Sequence, residues 1–271
     1  MGLTRRRFLT VMGALGLSSC ASKHVARLTP HLPLINDGPV TFAAINDTHV
    51  LDAKSVAIVN RAVASINANK AIRFTMVLGD VATDGQWPEL QLAKRSLEQL
   101  ERPCFVIPGN HDVAPASPDI YANYERAFGD TQWRQDEEGW VFIGLDTCNG
   151  TASDVTVPPE RIAWLEKRLR HVNKKRPVAL FTHHPFNPNT KAYRVANADD
   201  VVGLFAEHNL RLVASGHFHG NQVEERDGIT YVTTACCSTT RDNFDGTKEK
   251  GYRVFRMNDE AIEHEFVPVE A

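Results

Sequence analysis

Five times between residues 40 and 219, a short apolar run breaks off into a polar cluster built from Asp, Asn, His and Gly. The runs are Val40–Ile45, Phe74–Leu78, Cys104–Ile107, Val178–Phe181 and Leu210–Ala214, and each reads as a buried strand. The clusters that follow them are Asp47-Thr48-His49, Gly79-Asp80, Gly109-Asn110-His111-Asp112, His183-His184-Pro185 and Gly216-His217-Phe218-His219. Between the runs lie segments of helical spacing: Ser55–Asn69 with Val56, Val59, Val63 and Ile66 on one side, Glu89–Leu100, Pro118–Phe128, Pro158–Val172 and Asp199–His208. Trp87-Pro88 and Pro158-Pro159 read as helix starts. Trp140–Leu145 is a further strand. Beyond His219 the pattern changes to strands at Asn221–Glu225, Ile229–Thr234, Tyr252–Met257 and Ala261–Phe266, with Asp227-Gly228 as a hairpin turn. Alternating strands and helices followed by a β-rich tail predict an α/β domain with two packed sheets.

In open α/β sheets, binding sites form at the carboxyl ends of the strands, so the five clusters are expected to converge. Residues two apart on an extended segment point the same way, which lets Asp47 and His49 reach one ion and places His217 and His219 at one site. Gly79, Gly109 and Gly216 allow sharp turns and a close approach of the backbone. Carboxylate, amide and imidazole together suit Mn, Fe or Zn, and the lack of thiolate spacing argues against a structural zinc site.

The 271 residues carry a net charge of −3, which gives no basic footprint, and no nucleic-acid partner is expected. An acidic substrate would then need positive charge supplied locally, which bound metal ions provide.

The N-terminus reads as a targeting segment. Arg5-Arg6-Arg7-Phe8-Leu9 leads into an apolar run too short to span a bilayer, which takes about 20 residues. A basic head, a short apolar run and small residues before Cys20 make residues 1–20 a signal peptide of twin-arginine type ending in a lipoprotein box, with Cys20 acylated. Residues 21–38 are a tether and 39–271 the domain; the protein is expected to be exported and held at the cell envelope. Of the remaining cysteines, Cys104 reads as a buried thiol, while Cys148 could pair with Cys236 or Cys237 in an exported chain.

Taken together and in this order, the motifs D-x-H, G-D, G-N-H-D, H-x-P and G-H-x-H resemble the calcineurin-like metallophosphoesterase family, over roughly residues 40 to 257. The resemblance implies a four-layer α-β-β-α sandwich of two mixed sheets flanked by helices. It implies two divalent metal ions (Mn, Fe or Zn), the first bound by Asp47, His49 and His219, the second by Asn110, His183 and His217, with Asp80 bridging. It makes His111 a catalytic group that hydrogen-bonds the phosphoryl group or protonates the leaving oxygen, with Asp112 orienting it. His184 is expected to face the substrate or support a ligand rather than bind metal. Ions roughly 3.5–4 Å apart would polarise the phosphoryl oxygens and bring the pKa of a bridging water from 15.7 to about 7, and the resulting hydroxide would attack phosphorus. The implied activity is hydrolysis of a small phosphate ester. A phosphodiesterase of the branch that includes cyclic-nucleotide and glycerophosphodiester enzymes fits better than a phosphomonoesterase, and a metal-binding scaffold fits least because no ligand is missing. Asn46 and Asp84 flank ligands, and Arg241 could either meet a substrate phosphate or pair on the surface.

Overall fold

A computed structural model describes residues 39–137, 139–190, 192–258 and 260–271. Residues 1–20, read above as a signal peptide ending at Cys20, and residues 21–38, read as a tether, lie outside these described residues.

The elements run β1 (Val40–Ile45), α1 (Val56–Ala68), β2 (Phe74–Leu78), α2 (Trp87–Leu97), β3 (Cys104–Ile107), α3 (Ala122–Phe128), β4 (Trp133–Glu137), β5 (Trp140–Leu145), α4 (Pro159–Leu169), β6 (Pro177–Thr182), α5 (Ala198–Gly203), β7 (Asn209–Ser215), β8 (Gln222–Arg226), β9 (Ile229–Thr233), β10 (Lys250–Met257) and β11 (Ile262–Val269). They form two sheets, in strand orders β11-β10-β1-β2-β3 and β4-β5-β6-β7-β9-β8. Both have a parallel centre. In the first, β1, β2 and β3 are parallel, with β10 and β11 added antiparallel. In the second, β5, β6, β7 and β9 are parallel, with β4 and β8 as antiparallel edges. The chain is thus the expected four-layer sandwich.

The alternation of side chains along each strand builds three cores rather than one. On β1, Ala43 and Ile45 face α1, α2 and α3 together with Val77 and Val106. Phe42 and Ala44 face the second sheet, where Phe74, Phe105, Phe142, Phe181, Phe255 and Trp133 fill the space. Phe42 stacks on Phe74 and Phe255, with centroids at 5.2 and 4.9 Å, and meets Phe142 and Phe181 edge-on. A third core joins α4 and α5 to the outer face of the second sheet. The aromatic layer locks the sheets face to face and so fixes where their strand ends meet.

Three local differences from the sequence reading have physical causes. Strand β4 was not anticipated, because Trp133-Arg134-Gln135-Asp136-Glu137 lies at a sheet edge and only Trp133 is buried there. Helix α2 begins at Trp87, with Pro88 tolerated in the first turn, and after Leu97 it tightens into i→i+3 turns closed by Gln99 N–H to Ser96 C=O and Leu100 N–H to Leu97 C=O. Cys104, Cys148, Cys236 and Cys237 are all buried free thiols, so the pairing considered for Cys148 does not form.

Candidate metal centre

All five polar clusters lie just past parallel strands, at the ends of β1, β2, β3, β6 and β7. Their backbones are laced together. Asp47 N–H donates to the Gly79 carbonyl at 3.0 Å, His49 N–H to that of Asp80 at 2.9 Å, and Gly216 N–H to that of His183 at 3.0 Å. A backbone donor also reaches across between the sheets: His217 N–H donates to Asp47 Oδ2 at 2.9 Å. The close approach explains Gly109, where a Cβ would collide with the Asp80 carboxylate.

The local backbone is strained. Among the described residues, seven non-glycine residues have positive φ, and five of them are Asp47, His49, Asp80, His217 and His219. Left-handed backbone is uncommon for such residues and persists only where its surroundings enforce it. Here the enforcing contacts are the loop bonds just described.

Two groups of side chains converge. In one, Asp47, His49, Asp80 and His219, all buried, bring ligand atoms within 4.8 Å of one another. His49 Nε2 lies 3.3 Å from His219 Nε2 and 3.4 Å from Asp80 Oδ2, and His219 Nε2 lies 3.3 Å from Asp47 Oδ1. In the other, His183 Nε2 lies 3.1 Å from His217 Nδ1, 3.2 Å from Asn110 Oδ1 and 3.4 Å from Asp80 Oδ1. The Asp80 carboxylate therefore spans both groups, one oxygen toward each.

Three imidazoles have their outer N–H committed elsewhere. His183 Nδ1 donates to the Leu78 carbonyl at 2.8 Å, His217 Nε2 to that of Ser153 at 3.2 Å, and His219 Nδ1 to that of Asp242 at 3.0 Å. The nitrogens that face each other in the second group are then both lone pairs, and a cation, either a proton or a metal, has to lie between them. Asp47 Oδ1 is buried without a hydrogen-bond donor, although Asp47 Oδ2 takes the Asn46 amide at 2.6 Å. An orphaned carboxylate oxygen in the first group, and imidazole and amide lone pairs that face one another in the second, fit divalent metal.

The titration behaviour agrees. Burial works against charge on His219, but the Asp47 carboxylate overrides it and raises the imidazole to about 11. His183 is likewise opposed by burial and is raised by Asp80 to about 9. His49 and His217 are pushed down by burial to about 3 and about 4. Burial also opposes ionisation of Asp80, yet the neighbouring His183 and His49 hold its carboxyl well below the usual range.

His111 stands beside the first group, its ring centroid 4.9 Å from that of His49. Its N–H donates to Asp80 Oδ1 at 2.9 Å, and Nδ1 is held by the Thr83 carbonyl at 2.7 Å. The orienting partner expected in Asp112 is therefore Thr83 instead. Asp112 accepts the backbone N–H of Ala82 and of Gly109, each at 2.8 Å, and so ties the loop after β2 to the loop after β3. His184 has both ring nitrogens engaged, by Thr147 Oγ1 at 2.9 Å and the Ala152 carbonyl at 3.3 Å, with its ring centroid 4.4 Å from that of His217. Sequence reading missed Thr83, Thr147 and Ser153, which act through main-chain carbonyls or a lone hydroxyl that no motif spacing reveals. It also missed Tyr193 and Phe244, whose rings lie 5.0 Å from those of His217 and His219.

The sequence model of the calcineurin-like phosphoesterases matches residues 40–221. The chain belongs to that family, and with it to the metal-dependent phosphoric ester hydrolases. It is 31% identical over 194 residues to a probable cyclic nucleotide phosphodiesterase of Rhodopseudomonas palustris, covering 66% of this chain and 71% of the relative. It is 34% identical over 116 residues to a probable glycerophosphodiester phosphodiesterase, GpdQ, of Arcobacter nitrofigilis, a match that spans 40% of either chain. The purple acid phosphatase PPD1 of yellow lupin shares the fold at a TM-score of 0.61 and 12% identity, over 85% of this chain and 52% of the lupin protein.

Proposed function

We propose that this protein is a dinuclear metal-dependent phosphodiesterase acting on a small phosphate diester. The observation that carries the reading is the Asp80 carboxylate, which presents one oxygen to each of two adjacent ligand groups. Asp47, His49 and His219 would hold one divalent ion, Asn110, His183 and His217 the other, with Asp80 shared. The relatives named for diester hydrolysis support diester over monoester substrates.

When bound, such ions supply the positive charge that offsets the phosphoryl oxygens and the Lewis acidity that makes a water nucleophilic near neutral pH. The chain's own residues do the rest. Leu78, Ser153 and Asp242 engage the outer imidazole nitrogens through their carbonyls, so that the inner nitrogens are the ones presented for ligation. Thr83 holds His111 by Nδ1 and leaves Nε2 as the atom that passes a proton to the leaving oxygen.

The deciding experiment assays the purified protein on a panel of diesters and monoesters, with metal content measured on the same sample. The reading expects two metals per chain, diester turnover, and its loss with chelator. Equal rates on monoesters would remove the diester preference, and turnover unaffected by chelator would remove the metal role.

We further propose export with a lipid anchor at Cys20, on the strength of the basic and apolar N-terminal pattern alone. Cys20→Ser should move the protein from the membrane fraction to the soluble envelope fraction.

A further inference from the structure

Exposed large apolar side chains are few among the described residues, and two of them stand close to the proposed ligands. Among the described residues three large hydrophobic side chains are exposed, Leu51, Val223 and Phe244. Leu51 follows His49 by two residues, and Phe244 packs directly on His219. The Phe244 ring is parallel to that of His219, at 4° and 5.0 Å between centroids. One face of the phenyl ring is thereby used, and at 54% exposure much of the rest remains open.

Tyr193 stands on the other flank. Its ring meets His217 edge-on at 5.0 Å and lies 6.1 Å from Phe244. The two aromatic rings thus border the two ligand groups, one beside His219 and one beside His217. Tyr193 also has φ of +62°. Of the seven positive-φ residues outside glycine among the described residues, five belong to the proposed ligand set and Asp227 to the β8–β9 hairpin turn; Tyr193 is the seventh. Strain of this kind concentrates where a side chain must be aimed.

The segment bearing Phe244 is held independently of the ring. Phe244 N–H donates to the His219 carbonyl at 3.0 Å, and the Lys250 ammonium donates to the Arg241 carbonyl at 2.7 Å and to Asn243 Oδ1 at 3.1 Å. No packing duty in the three cores calls for a phenyl ring at position 244.

We propose that Phe244 and Tyr193 form an aromatic wall that determines specificity, stacking a flat aromatic group carried by the phosphate ester. This rests on the phosphohydrolase reading, because the wall acts on whatever the centre holds by its phosphoryl end. A glycerol or other small polyol offers nothing to such a wall, whereas a planar ring gains a stacking partner beside the bound phosphoryl group.

Phosphonates, which resist hydrolysis, test the wall by binding. Phenylphosphonate and methylphosphonate are titrated calorimetrically into the metal-loaded protein and into the Phe244→Ala, Phe244→Leu and Tyr193→Ala variants. The wild type should prefer the phenyl compound by about tenfold, and Phe244→Ala should reduce the preference to about twofold or less. Phe244→Leu, which keeps apolar cover on His219 but no π-face, should behave like Phe244→Ala. The preference is a ratio within each protein, so a partly active preparation does not distort it. Equal affinities in the wild type, or a tenfold preference surviving in both Phe244 variants, would overturn the wall. If neither phosphonate binds and no diester is hydrolysed, the phosphohydrolase reading fails with it.

Discussion

The two ligand groups share Asp80, hold two imidazoles each, and differ in their remaining oxygen ligand. The group around Asp47 holds a second carboxylate, and its nearest neighbours are a buried network reaching Asn46 and Thr234. The group around His183 has an amide, Asn110, where the other has Asp47, and His217 in it is partnered by the Ser153 carbonyl in the 149–158 loop. One formal negative charge fewer means weaker electrostatic attraction for a cation. The difference teaches that a pair of similar-looking ligand groups can carry unequal charge, so that the group around Asp47 would attract a cation more strongly.

The largest expected effect comes from breaking what the groups share. Asp80→Asn removes the charge that serves both, and it should abolish retention of two metals and lower turnover by roughly 10³-fold or more, beyond the 10–100-fold typical of residues that only support ligands. Metal analysis and diester assay on the same sample check it. Retention of both metals by Asp80→Asn would mean that the carboxylate does not hold the centre together.

His111 belongs to neither group, which makes its loss the control for the first prediction. His111→Ala should keep both metals while turnover falls by about 10²–10⁴-fold. Turnover close to wild type would remove His111 from the chemistry and leave it a neighbour of His49.

Separating the groups gives a smaller effect. Asp47→Ala should cost the first ion and Asn110→Ala the second, so the two variants should each retain about one metal per chain and differ in which competing ion displaces it. Asn110→Ala is the milder of the two, roughly 10–100-fold in apparent affinity for the second ion, because an amide contributes less than a carboxylate. Equal losses would erase the asymmetry.

Much of this was legible before the structure, and the pattern of what was not is physical. Strands β1, β2, β3 and β5 appear at the expected residues, because a strand buried on both faces is a continuous apolar run with a sharp end. Strand β4 was hidden, since an edge strand with one buried side chain has no such run. The residues that converge at the centre were readable because their Asp, Asn and His side chains stand in short motifs directly after the apolar runs. The role of Asp112 was misread: a carboxylate beside His111 in sequence bonds the main chain of Ala82 and Gly109, and only backbone geometry reveals that. Tyr193 and Phe244 lie on loops with no periodicity, so their approach to His217 and His219 depends on tertiary structure alone.

The smallest effect is also the sharpest test of the asymmetry, because it follows each group through its own proton. Each group contains one imidazole already neutral at pH 7, His49 at about 3 or His217 at about 4, and one held protonated by a carboxylate, His219 at about 11 or His183 at about 9. A ligand must give up its proton to a metal, so binding in either group should release close to one proton at pH 7. The sign follows from the raised values: below its pKa each of these histidines carries the proton that metal must displace, so affinity rises with pH, by about tenfold per unit for one proton. The gain should stop near pH 9 for the group containing His183 and continue toward pH 11 for the group containing His219. Calorimetry of metal uptake at pH 7 in buffers of different ionisation enthalpy counts the protons, and the same titration repeated up to pH 9.5 finds where the second affinity levels off. Two affinities that climb in parallel through pH 9 would show that the Asp47 and Asp80 carboxylates do not hold the two imidazoles apart, and the proposed inequality of the groups would then rest on Asn110 alone.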